Sequence, residues 1–267
     1  MAVSAWHKFI EWLKGLIARF KAKFEKNKIR ESLLKTRAKK LSGDIEAITD
    51  FHTVKVEGDW PTLVCDGKVD VGATQHFIQA VEIDSKVFAK DLTEYINKSL
   101  NGDHVVFKPA LHAAKTTRNV KAYGVSKATV YAVPNNTYMA IGNLGDKPQL
   151  DFFPGESTPS TKTKITITNP TSIRATIQYI NDAIEFLENQ TNEYRAFIDL
   201  IDQLTKSVEL PFKTKFDNDD ARFYYYTAIR MAITCGSDYI QHTDRLVVSS
   251  VHGLLSYVEE VLKVHNA

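Results

Sequence analysis

Twelve of the first forty side chains are cationic, and their chemistry is the most conspicuous in the sequence. Lys8, Lys14, Arg19, Lys21, Lys23, Lys26, Lys28, Arg30, Lys35, Arg37, Lys39 and Lys40 stand against Glu11, Glu25 and Glu31, a local charge of +9. The full chain of 267 residues carries only +2, so residues 41–267 hold −7. A basic arm on an acidic body marks contact with a polyanion or an anionic surface. Ammonium and guanidinium groups bind phosphates by displacing condensed counterions, which gives sequence-independent, salt-sensitive affinity. The candidates for that role are Lys14, Arg19, Lys21, Lys23, Lys26, Lys28, Arg30, Lys35, Arg37, Lys39 and Lys40.

The same segment carries a second kind of surface. Trp6, Ile10, Leu13, Ile17, Phe20 and Phe24 recur at steps of three and four, one stripe of a helix, and Phe9 and Leu16 widen it. Such a stripe packs on the body of its own chain, or on a partner, or lies at a lipid headgroup boundary with Trp12 beside it, anchoring the protein through residues 4–26.

Catalytic constellations are missing from the sequence pattern. Gly124-Val125-Ser126-Lys127-Ala128 lacks the second glycine of a nucleophile elbow, and no phosphate-binding glycine loop, His-Glu-x-x-His or Ca²⁺ loop occurs. The eight histidines stand singly, His242 and His252 being ten apart. Asp217, Asp219 and Asp220 have the oxygens a hard cation wants, but a helix cap and acidic first turn account for them. Phe223-Tyr224-Tyr225-Tyr226 could stack on bases, although consecutive aromatics on a helix point in different directions. No catalytic residue, metal site or cofactor is expected. Cys65 and Cys235 sit in no ligand or redox spacing, and a reducing compartment is the plainer reading. Charges at Lys8, Glu11 and Lys14 interrupt any signal-peptide core, and no apolar run is long enough to span a bilayer.

The elements that must hold these residues are mainly helical. The pattern predicts a basic amphipathic helix over 1–41, with a possible break near Asn27, then a connector with helices over 42–104. There Gln75–Ala80 and Lys86–Leu100 read as two helices, the second capped by Asp84-Ser85 and closed at Asn101-Gly102. Residues 105–168 read as a β-rich insertion with a hairpin at Val130–Ile141 and strands at Leu150–Phe153 and Lys164–Thr168. Residues 169–267 complete a bundle. One helix of roughly 55 Å is expected from Thr171 to about Val208, a second from the Asp217 region to Ile233 with Gly236 closing it, and a third over 246–264. The fold class is thus mostly α with a small β insertion, the long helices packing side by side.

The basic helical leader with Lys28-Ile29-Arg30-Glu31-Ser32-Leu33-Leu34-Lys35-Thr36-Arg37-Ala38-Lys39-Lys40, the helical body and the closing run Leu254-Leu255-Ser256-Tyr257-Val258-Glu259-Glu260-Val261-Leu262-Lys263 resemble internal head or minor virion structural proteins of large tailed bacteriophages, a resemblance that covers about a quarter of the chain. The resemblance implies a non-enzymatic particle component located in the virion, and in the host cytoplasm during assembly. It also implies partners among other virion proteins or further copies, with non-specific nucleic acid beside them. Some such proteins lose a leader to a prohead protease. Glu46-Ala47 offers a junction, though Asp44 replaces the bulky apolar residue usual two before the glutamate. A peripheral membrane protein is the alternative from another class, and an enzyme of unrecognised family the third.

Overall fold

The computed structural model describes residues 3–116, 126–155, 161–206 and 219–266; at 3–6, 27–29, 126, 127, 219 and 222 it describes the backbone alone. Among the described residues five α-helices, one short 3-10 helix and seven short strands follow in chain order. Helix α1 spans Val3–Glu46 without interruption, and α5 spans Asp219–His265. At 1.5 Å per residue these are about 65–70 Å long, far beyond the usual globular helix. Such length persists because each helix lays a continuous apolar face on neighbours. α1 contacts α5 and the helices α3 (Thr171–Glu193) and α4 (Arg195–Lys206), and α5 also contacts α3 and α2 (Val71–Asn101).

Helix α2, Val71–Asn101, is a single element where the sequence suggests two. Its N-cap is Asp70, whose side chain accepts the Ala73 amide at 2.8 Å, and Gly102 in the left-handed region closes it. Asp84 and Ser85, expected as a cap, sit mid-helix and buried. They are tolerated there because each has a partner on another segment. Asp84 accepts the His112 and Ala113 amides at 2.6 and 2.8 Å, and Ser85 bonds the Tyr194 hydroxyl at 2.9 Å.

The expected helix from Thr171 to Val208 is divided into α3, Thr171–Glu193, and α4, Arg195–Lys206. Val208 lies outside the described residues. Tyr194 is the hinge, with φ −103° and ψ 10°, and it is almost fully buried with its hydroxyl on Ser85. The amides of Tyr194 and Ile198 still find Gln190 and Tyr194 carbonyls at 3.0 Å, so the chain bends while keeping hydrogen bonds on both sides of the hinge.

Gly236, expected as a helix end, lies inside α5. A Cβ there would overlap the Phe197 ring and come within 2.7 Å of Leu92 Cδ2. The glycine serves close approach of α5 to α4 and α2 rather than termination. The aspartate cluster at Asp217 falls outside the described residues except for Asp219 and Asp220, which open α5.

The β structure is antiparallel throughout. Strands β1 (Val54–Asp59) and β7 (Lys162–Ile167) form a ribbon that pairs Val54 with Ile167, β1 arising where the sequence suggests only a connector. Strands β2 (Val64–Cys65) and β3 (Lys68–Val69) form a minimal hairpin. The expected hairpin is present as β4 (Ser126–Val133) and β5 (Thr137–Leu144), with β6 (Lys147–Pro154) completing a meander. The paired Val133 and Thr137 leave a three-residue loop, Pro134-Asn135-Asn136, in which both asparagines take positive φ, 64° and 47°, a conformation their side chains tolerate. β6 packs on α5, and Tyr131, Val133, Met139, Ile141 and Leu150 join the same apolar core as the helices.

A basic groove between the first and last helices

The apolar stripe of α1 is used within the chain. Phe9, Ile10, Leu13, Leu16, Phe20 and Phe24 are buried and Ile17 is half-buried; the Trp6 side chain lies outside the described residues. Phe9 stacks on Trp12 with centroids 5.6 Å apart and meets Tyr226 edge-on at 5.2 Å. Offering this face to a lipid surface would first expose six side chains, each contributing about 1.5–3 kcal/mol by its burial. Among the described residues no helix is long and apolar enough to cross a membrane.

With that face turned inward, the cations sort into two groups. Lys23, Lys35 and Arg37 are tied to other helices. Lys23 Nζ lies 3.0 Å from the nearly buried carboxylate of Asp244 and donates to the Gln241 carbonyl at 3.2 Å, while Gln190 Nε2 donates to the other Asp244 oxygen at 3.1 Å. Arg37 grips Glu259 with Nε and Nη2 at 2.6 and 2.5 Å, and Lys35 pairs with Glu188. The hydrogen bond from Arg37 holds the Glu259 carboxyl below its usual range, and the same contact raises the guanidinium. Lys14 pairs with Glu11 at 2.8 Å on the surface, where such contacts contribute little. The Lys28 side chain lies outside the described residues. Arg19, Lys21, Lys26, Arg30, Lys39 and Lys40 are exposed, and none makes an ion pair among the described residues.

Four of the α1 cations converge on a groove of about 520 Å³ against α5. Arg19, Lys23, Lys26 and Arg30, at steps of four, three and four, form one wall; Arg245 and His252, seven apart on α5, form the other. Phe20 and Val248 also line it, with Gln241 and Ser249 as polar neighbours. The concentration of like charge is visible in its effects. Burial pushes the Lys23 amine down, Asp244 opposes that, and Arg245 and Arg30 push it further down. His252 is lowered by burial and then by Arg37 and Arg30, and His242 by burial and then by Arg245 and Lys23. Arg245 and His252 were not among the sequence candidates. Their spacing was readable, but only packing reveals that this face of α5 meets α1.

Elsewhere the polar clusters are structural. His112 Nδ1 lies 3.0 Å from Asp84, yet that carboxylate is committed to two backbone amides of the 111–113 segment, and no serine, threonine or cysteine joins the pair among the described contacts. Ser126 has no described side chain. Burial pushes the Cys65 thiol up to about 12 and Cys235 higher still, so both are poor nucleophiles. Within Phe223–Tyr226, Tyr225 is buried and donates to the Gly102 carbonyl at 2.5 Å, Tyr224 bonds Asp146, and Phe223 is exposed. Among the described residues no group of three or more metal-ligating side chains converges.

A family model describing phiKZ-like phage internal head proteins matches residues 1–266. No curated protein and no solved structure matches the chain.

Proposed function

We propose, for a chain that belongs to the phiKZ-like phage internal head proteins, that its part in the head is to hold packaged DNA through the exposed cations of α1, without catalysing a reaction. Membership supplies the structural virion role. The reading of DNA as the partner rests on one observation: the apolar face of α1 is spent on the core, while Arg19, Lys21, Lys26, Arg30, Lys39 and Lys40 remain exposed and outside ion pairs among the described residues. Arg19, Lys26 and Arg30, at steps of seven and four, share one flank of α1, and cations so spaced suit a phosphate backbone, whose charges repeat along a line; Lys21 and Lys39 lie on the other flank. Lys23, Lys35 and Arg37 leave the set of DNA-facing residues, because their charges already serve α5 and α3.

Titration of duplex DNA against the full chain across a salt series tests this. Affinity should be independent of sequence and fall steeply with salt. Replacing Lys21, Lys26, Lys39 and Lys40 with Gln should lower the slope of log K against log salt by up to about 3–4, near 0.9 for each phosphate no longer neutralised. The fold should survive, since Lys and Gln have similar helix propensities. Absence of binding at low salt would refute the reading, and binding to anionic vesicles in place of DNA would favour a lipid surface.

A further inference from the structure

The groove between α1 and α5 differs from the other exposed cations of α1, because folding draws its two walls from residues more than two hundred positions apart. Arg19, Lys26, Arg30 and Arg245 face it with no carboxylate in an ion pair with any of them among the described residues, and the one acidic group in its lining, Asp244, is already matched by Lys23. We propose that this groove is a compact binding site for phosphate oxyanions, accepting two or three adjacent phosphates of a nucleic-acid backbone or of a free polyphosphate.

The chemistry of the walls supports that ligand class. Guanidinium groups from opposite sides, Arg19 and Arg30 on α1 and Arg245 on α5, present forked donors suited to phosphate oxygens, and Lys26 adds a point charge. A volume of about 520 Å³ falls within the range of small-ligand clefts and exceeds what one monatomic ion needs. His252 at the far end gains a reason to bind a proton once an anion offsets Arg30 and Arg37. An anion bridging both walls would also offset the repulsion by Arg245 and Arg30 that adds to burial in lowering Lys23, and so would fasten α1 to α5. The proposal rests on the reading of α1 as phosphate-facing, and it differs in requiring a saturable site with residues from α5.

The test uses the full chain in two arms at matched ionic strength: thermal melting with sodium tripolyphosphate against chloride, and titration with duplex DNA. The variants are Arg245→Gln with His252→Gln for the groove, Arg19→Gln with Lys26→Gln as a second groove pair on exposed positions, and Lys39→Gln with Lys40→Gln as the control outside it. Tripolyphosphate should raise the melting temperature saturably, and both groove pairs should abolish the rise while the control keeps it. Both groove pairs should also weaken DNA binding at least fivefold more than the control. A tripolyphosphate shift without DNA binding assigns the site to free phosphates and removes the DNA reading. Groove-dependent DNA binding without that shift assigns it to the backbone. DNA binding indifferent to both groove pairs, with no tripolyphosphate shift, overturns the site and leaves the DNA reading standing; no response in either arm overturns both.

Discussion

Replacing Lys23 with Met would remove the charge that faces Asp244 while keeping most of the aliphatic stem. The two groups are 3.0 Å apart, and the Asp244 side chain is 5 % exposed against 24 % for Lys23. At an effective dielectric of 20 the Coulomb attraction at that distance is about 5.5 kcal/mol, a ceiling before desolvation is subtracted. Breaking a buried pair by removing one partner typically costs about 3–5 kcal/mol, because the other charge stays behind. Here Gln190 still donates to Asp244 and water reaches the lysine end, which lowers the expectation to about 2–3 kcal/mol. For a chain of this size that is a fall of roughly 4–12 °C in melting temperature. Thermal and urea denaturation of the wild type, Lys23→Met, Asp244→Asn and the double variant measure it. The double variant should recover much of the loss, since no unpaired charge remains. A Lys23→Met protein melting within about 1 °C of the wild type, or a double variant no better than the two single losses added, would refute the reasoning.

Three further outcomes are expected. Gly236→Ala should destabilise by about 1–3 kcal/mol, because its methyl meets Phe197 and Leu92 in a packed crossing, whereas Gly43→Ala, with open space around its Cβ, should be neutral or stabilising; denaturant midpoints compare the two. His242 and His252 have folded values below 6.5, so the unfolded chain binds their protons first: their contribution is present above 6.5 and is lost as pH falls through the folded values, and melting across pH 7.5–5 should show a decline that His252→Gln makes shallower. Cys65 and Cys235, buried with raised thiols, should react with a thiol reagent only as fast as the protein opens, so that reaction near neutral pH is slow in the native state and prompt in denaturant.

Local pattern carried much of this molecule. The three-and-four spacing of α1 gave its helix and its buried face, and the positive φ angles of Asn135 and Asn136 occur at the turn that those residue types advertise. Failures occurred where a tertiary partner reversed a local signal. Gly236 reads as a stop until the Phe197 ring is placed against it. Asp84-Ser85 reads as a cap until the amides of the 111–113 segment and the Tyr194 hydroxyl are seen to occupy those oxygens. Tyr194 continues the apolar spacing yet bends the helix. The groove followed the same rule: its α1 wall is a sequence pattern, whereas Arg245, His252 and the ion pair of Lys23 with Asp244 depend on how α5 lies across it.

Where α1 stops has a consequence for processing. Its last turn holds Ile45 in the core, the Ala47 amide still reaches the Gly43 carbonyl at 3.1 Å, and the Glu46-Ala47 peptide lies at this join. Upstream of that bond α1 supplies, among the described residues, ten buried apolar side chains, from Phe9 to Ile45. Their summed burial, at about 1.5–3 kcal/mol for each of the larger ones, matches or exceeds the roughly 5–15 kcal/mol by which a domain is ordinarily stable. A protease that cut there and freed the segment would strip a wall from the remaining body and expose the apolar surface that α1 covers. The cations of α1 and the apolar side chains that anchor them thus belong to one element, packed into the body along its length.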